Sequence, residues 1–190
     1  MEQEQNDLKP GNGKVVVTGA TGGVSSIGID MLAKLGYQVS AITGKESEQG
    51  YLKKLGVSEV LLRQSLEMGT RPMEKTLWAG ALDSVGGETL AWLTRTMQQN
   101  GVIAAYGNAG GIELKTTVFP FILRGVRLIG VDSVHTPMPL RRKIWDRLAG
   151  DLRPRYLDDM TTTVSLDELP QLFDKFLKAQ VRGRTVVKIA

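Results

Sequence analysis

The residues of this 190-residue chain best suited to chemistry are small ones. Thr18-Gly19-Ala20-Thr21-Gly22-Gly23 lets a backbone turn tightly and approach a ligand closely. Val15-Val16-Val17 just before it is an apolar run, short and continuous enough for one strand buried on both faces. After it, Val24, Ile27, Met31, Leu32 and Leu35 recur at helical spacing, so a helix begins near Val24. Strand, turn and helix in that order leave unpaired backbone N–H groups at the helix start, where a pyrophosphate can sit. Set against the dinucleotide fingerprint G-x-G-x-x-G, the turn reads Ala20-Thr21-Gly22-Gly23-Val24-Ser25 and keeps only the middle glycine, Gly22. Ser25 stands where a glycine would permit close helix–strand contact.

The choice of dinucleotide falls to the end of the second strand, where an acidic side chain bonding the ribose 2′-hydroxyl selects NAD. Here that tip is Thr43-Gly44-Lys45, with no carboxylate before Glu46. Thr43 offers a hydroxyl and Lys45 a cation, and Arg63 ends the third strand. A 2′-phosphate would find charge-assisted hydrogen bonds there, so NADP is the expected cofactor.

The elements that must hold these residues alternate. Strands are expected at Lys14 to Thr18, Val39 to Thr43 and Glu59 to Arg63, with helices from Val24 to a stop at Gly36 and from Glu46 to Leu55. A loop over 65–79 leads to a strand at Gly80 to Val85, a helix at Glu88 to Gln98 and a strand at Gly101 to Tyr106. That strand exits into Gly107-Asn108-Ala109-Gly110-Gly111. A short helix at Phe119 to Leu123, a strand at Val126 to Val131 and a helix carrying Leu140, Ile144, Trp145 and Leu148 follow. The alternation predicts an α/β fold, a Rossmann-type doubly wound parallel sheet. The chain then ends in a β-α-β tail: strand Met160 to Val164, a helix opened by the capping-box spelling Ser165-Leu166-Asp167-Glu168, and strand Gly183 to Ile189. Residues 1–13 read as a polar lead-in, 14–150 as the nucleotide-binding domain and 151–190 as the tail.

Composition excludes several classes. With no cysteine and one histidine, His135, the chain offers no disulfide, no thiolate metal site and no histidine-rich zinc site. A cytoplasmic protein is the expected setting. No apolar run approaches the length of a membrane helix, so no membrane partner is expected. The net charge of +4 does not imply nucleic acid. A short-chain dehydrogenase would need a tyrosine with a lysine four residues on, yet Tyr37, Tyr51, Tyr106 and Tyr156 are followed there by Ala41, Leu55, Gly110 and Met160. Asp83 is expected to bond loop N–H groups, and Trp78, Trp92 and Trp145 to be core or half-buried.

The segments VVVTGATGGV, KLGYQVSAITGK, YLKKLG, LWAGALDSVGG, TTVFPFILRGVRLIGVDSV and QVRGRTVVKI together resemble the medium-chain dehydrogenase/reductase superfamily. Within it they are similar to the NADPH-dependent quinone-oxidoreductase-like branch that includes acryloyl-CoA reductase. The resemblance runs from about residue 8 to the C-terminus. It implies that Thr21, Gly22, Gly23, Val24 and Ser25 hold the pyrophosphate and that Thr43, Gly44, Lys45 and Arg63 meet the adenosine 2′-phosphate. It further implies that Asn108, Ile122 and Ser133 line the nicotinamide side, with Gln180 and Arg184 approaching from the tail. Full-length relatives begin with a GroES-like substrate domain, and Met1 would fall inside a helix of such a relative. The expectation is therefore a zinc-independent, NADP(H)-binding portion of a reductase acting on an activated C=C bond, without catalytic residues of its own. The alternative is a non-catalytic NADP-binding or oligomerising module, and a homodimer through the sheet edge or the tail is open to either.

Overall fold

The computed structural model describes residues 8–189. Residues 1–7 of the expected lead-in lie outside them. Six parallel strands form one sheet in the order β3-β2-β1-β4-β5-β6: β1 Lys14–Val17, β2 Gln38–Thr43, β3 Glu59–Leu62, β4 Trp78–Asp83, β5 Met97–Ala105 and β6 Arg127–Gly130. This is the Rossmann strand order, with its switch point between β1 and β4. The helices are α1 Gly23–Lys34, α2 Gln49–Lys54, α3 Gly87–Thr96, α4 Phe119–Arg124 and α5 Met138–Ala149.

The valine run behaves as a strand covered on both faces must. Val15 and Val17 join Ile29, Leu32, Val39, Leu52 and Leu55 in one apolar cluster. Val16 points the other way, into a cluster with Trp78, Trp92, Leu93, Met97 and Ile103. Trp78 and Trp92 meet edge to face, with ring centroids 6.2 Å apart, an arrangement the ring quadrupole favours.

Several boundaries move, for local reasons. The expected helix at 46–55 divides into a 3₁₀ turn, Glu46–Glu48, and α2. The helix expected to reach Gln98 stops at Thr96, whose hydroxyl bonds the Trp92 carbonyl at 3.0 Å. Met97 is fully buried as expected, but it opens β5. The lead-in is tied down at Leu8, which is buried and whose carbonyl accepts the Tyr37 hydroxyl at 2.7 Å.

The tail forms β7 Thr161–Ser165, α6 Leu169–Leu177 and β8 Arg184–Lys188, with β7 and β8 paired in parallel as a separate two-stranded sheet. Ser165 donates its N–H and hydroxyl to Glu168, each at 2.8 Å, yet the helix starts only at Leu169. Pro170 explains the delay, because its ring fits only the first helical turn. Trp145 is exposed rather than core, and neither α5 nor α6 has a buried residue.

Residues 152–160 are fastened to the main sheet's helices. Leu152 and Met160 are buried. Asp30, fully buried on α1, accepts the Arg155 backbone N–H at 2.5 Å and Nε at 2.7 Å. A buried carboxylate held by one guanidinium and one amide leaves both donors exposed to loss if it is removed. Asp30→Ala is expected to cost about 3 kcal/mol in urea unfolding, and an unchanged midpoint would show that Arg155 is not structurally coupled.

Candidate nucleotide site

The site is built where α1 leaves the C-terminal end of β1. Gly19 has φ +54°, and a Cβ there would stand 2.4 Å from Ser84 Oγ, so this position both turns left-handed and lacks room for a side chain. Gly22 N–H closes the turn on the Gly19 carbonyl at 2.8 Å. The fingerprint alignment gave the tight-turn place to Ala20, and the structure gives it to Gly19, one residue earlier. Gly22 is the N-cap of α1 in extended conformation, with no side chain capping it. The first-turn N–H groups of a helix have no partner within the helix, so Gly23, Val24 and Ser25 open α1 with amides that no helix carbonyl takes.

Ser25 does not leave a gap at the missing glycine. It is 1% exposed, and its hydroxyl lies 3.0 Å from the Thr18 carbonyl and 2.9 Å from Tyr106 Oη. A carbonyl only accepts, so the serine proton goes to Thr18 and the Tyr106 hydroxyl donates to Ser25. Ser84 Oγ donates to the same Thr18 carbonyl at 3.0 Å. Thr18 Oγ1 in turn donates to Asp83 Oδ1 at 2.6 Å, and Asp83 accepts the N–H groups of Val85 and Gly86 at 3.3 and 2.9 Å. Burial foremost, with the Asp83 charge adding to it, pushes the Tyr106 phenol above its ordinary pKa. One polar network therefore joins the ends of β1, β4 and β5 to the first turn of α1. Spacing alone singled out Asp83 for the loop amides but gave no sign of its link to Thr18.

At the end of β2 the candidates converge, with divided tasks. Thr43 is buried, and its hydroxyl accepts the Lys45 backbone N–H at 3.0 Å, shaping the turn. The Arg63 guanidinium lies over Gly44, where a Cβ would come within 3.3 Å of Nη2. Lys45 Nζ donates to the Val181 carbonyl at 2.7 Å. Burial lowers the Lys45 pKa, opposed by Glu48 and reinforced by Arg182.

The tail crosses both parts of the site. Gly183 N–H bonds the Thr21 carbonyl at 2.8 Å, and Gly22 and Gly183 form a parallel bridge. Gly183 has φ +62° and a Cβ there would lie 2.0 Å from the Met160 carbonyl oxygen, so no other residue fits. The Arg184 side chain rests on Gly23, at the start of α1. Gln180 is exposed and donates its backbone N–H to the Lys175 carbonyl. Asn108 follows β5 and Ser133 follows β6, while Ile122 lies on α4, which precedes β6 and whose Arg124 bonds the Met97 carbonyl at the start of β5; all three are exposed.

The chain matches the zinc-binding dehydrogenase family over residues 23–149. It belongs to that family, and so to the medium-chain dehydrogenase/reductases. It is 47% identical to the probable acrylyl-CoA reductase AcuI of Escherichia coli over all of its own length and 58% of that protein's. With the putative quinone oxidoreductase YhfP of Bacillus subtilis it shares 46% identity, over 98% of this chain and 57% of the relative. The chain thus spans less than two thirds of the relatives it matches. Among solved structures, the yhdH oxidoreductase of Salmonella enterica in complex with NADP superposes with a TM-score of 0.93 at 49% identity, covering 98% of this chain and 57% of that one. Bacillus subtilis yhfP with NAD bound gives 0.91 at 46% identity, with the same two coverages.

The metal in the family's name has no place among these residues. There is no cysteine in the sequence, and among the described residues no three histidine, cysteine, aspartate or glutamate side chains gather as a metal set. His135 Nδ1 is instead paired with Asp132 Oδ2 at 2.7 Å on an exposed turn. No helix among the described residues is long and apolar enough to cross a membrane.

Ser25→Gly removes the hydroxyl that ties α1 to Thr18 and Tyr106 and puts a glycine in the helix. The expected loss is about 2 kcal/mol in urea unfolding. Unchanged stability would show that the network carries no load.

Proposed function

We propose that this chain is the NADPH-holding part of a reductase that delivers hydride to an activated carbon–carbon double bond, an enoyl thioester of the acrylyl-CoA type or a quinone. The observation that carries the reading is the meeting of an uncapped helix N-terminus with Lys45 and Arg63 at the adjoining strand ends. An NAD site places a carboxylate at the end of β2, where this chain has Thr43-Gly44-Lys45. The names and bound NADP of the relatives supply the substrate class and agree on the cofactor, while the NAD bound to yhfP makes the preference worth measuring.

In this reading the α1 amides of Gly23, Val24 and Ser25 hold the pyrophosphate, with Thr21 and Gly22 shaping the approach. Thr43 and Gly44 form the turn that presents Lys45 to the 2′-phosphate, and Arg63 closes over it. Asn108, Ile122 and Ser133 line the nicotinamide side, and Gln180 and Arg184 come in from the tail. The cofactor supplies the hydride when bound, and these residues bind and orient it. Residues 14–150 are the binding domain and 151–190 a tail that packs on a further domain. A cytoplasmic setting and the absence of nucleic-acid partners belong to the same proposal.

Calorimetry with NADP and NAD at fixed ionic strength tests it. NADP is expected to bind at least about tenfold more tightly, a preference that Lys45→Ala or Arg63→Ala reduces to near parity. Addition of acrylyl-CoA is expected to oxidise no NADPH at 340 nm. Equal affinities, or turnover by the chain alone, would overturn the respective halves of the reading.

A second reading has its own observation. The tail exposes Phe173, Phe176, Leu177, Val186 and Ile189, with Leu177 at 85%. Apolar surface of this kind calls for a cover. If the chain works as an oligomerising module, that cover is a second copy, and light scattering is expected to give a dimer of about twice 20.7 kDa. A strictly monomeric particle would exclude it.

A further inference from the structure

Arg182 was not among the residues to which motif or spacing pointed, yet it lies at the phosphate end of the site. Its Nη1 is 3.1 Å from Glu48 Oε2, and its guanidinium stacks 4.7 Å above the Tyr51 ring. The carbonyl of its neighbour Val181 takes Lys45 Nζ. Glu48 also donates its backbone N–H to the Lys45 carbonyl at 3.2 Å, so Lys45, Glu48 and Arg182 lie around one spot. Lys45 and Arg182 therefore gather beyond the end of β2 about one carboxylate that is already engaged, with the Arg63 guanidinium over the neighbouring Gly44.

That carboxylate is out of place in a site for a 2′-phosphate, which it would repel. Its position in the 3₁₀ turn is nonetheless where an anion pairs with Arg182. We infer that Arg182 is a specificity-determining residue of the nucleotide site and that Glu48 is its exchangeable counter-ion. A 2′-phosphate takes the guanidinium over from Glu48, and a 2′-hydroxyl leaves the pair intact. This rests on the NADP reading above.

The chemistry favours the exchange. A phosphate offers a guanidinium two parallel hydrogen bonds and more negative charge than a carboxylate meeting it through a single recorded contact. The stack on Tyr51 holds the guanidinium plane without using its N–H donors, so they remain available to a new acceptor. The loop itself is fixed on the far side, by Gly183 on Thr21 and by Arg184 on Gly23, so little chain entropy is lost in presenting Arg182. If Arg182 served only to pin the tail, its removal would weaken every dinucleotide alike.

Calorimetric titration of the full chain with NADP, NAD and 2′,5′-ADP separates these cases. Arg182→Ala is expected to weaken NADP and 2′,5′-ADP about tenfold and NAD by less than about twofold, with Arg182→Lys in between. Glu48→Gln is expected to tighten NADP about threefold and leave NAD unchanged. Equal losses for NADP and NAD in Arg182→Ala, or no loss for either, would overturn the inference. So would a Glu48→Gln variant that binds NADP more weakly than the parent. A parent chain without NADP preference would overturn the reading beneath it as well. A preference that Lys45→Ala abolishes and Arg182→Ala leaves whole would overturn this inference alone.

Discussion

The structure depends on how closely the first turn of α1 can be held to the C-terminal end of β1. A helix N-terminus attracts an anion only if its amides stay unpaired and point at the ligand. Leaving them so costs stability that something nearby must offset. Here the hydrogen bonds that fix the turn are made on its sheet side. Gly22 N–H returns to the Gly19 carbonyl, and Ser25 and Ser84 both donate to the Thr18 carbonyl. The polar groups facing the sheet are satisfied, and those facing outward are left to a ligand. Where a fingerprint glycine would simply allow approach, Ser25 makes the approach with a hydrogen bond at each end of its hydroxyl.

From that point the network spreads along the strand ends. Thr18 belongs to the exit of β1, Asp83 to the end of β4 and Tyr106 to the residue after β5. Two of these strand ends flank the switch point and the third lies beside them, and they are cross-linked by buried Thr18, Ser25 and Asp83 and half-buried Ser84 and Tyr106. In such surroundings an unpaired hydroxyl or carboxylate is costly, so the members hold one another in place. The result is a rigid floor beneath the candidate site.

Much of the fold was legible because its signals are local. Val15-Val16-Val17 can only be a strand covered on both faces, and Gly36 ends a helix by its own backbone, at φ +86°. Local signals fail where two elements compete for the same residues. Ser165 to Glu168 spells a capping box, but Pro170 moves the helix start to Leu169. Met97 fits the apolar face of a helix and the inside of a strand equally well, and its burial does not choose between them. Ala20 took the place of Gly19 because a fingerprint counts positions, whereas the left-handed turn depends on backbone angle. Apolar periodicity in α5 and α6 marks a face without saying whether these residues cover it. The pairing of Asp30 with Arg155 had no sequence signal at all, since 125 residues separate them.

The tail is held at two places on α1, and this relates those misses to the site. Arg155 grips Asp30 in the body of the helix, and Gly183 and Arg184 meet the turn that begins it. Between those two attachments the chain makes β7 and α6, which leave Phe173, Phe176 and Leu177 exposed. Beyond α6 the chain returns in a loop whose carbonyl at Val181 and guanidinium at Arg182 engage Lys45 and Glu48, more than 130 residues earlier in the chain. The same loop thus joins the exposed tail to the end of β2.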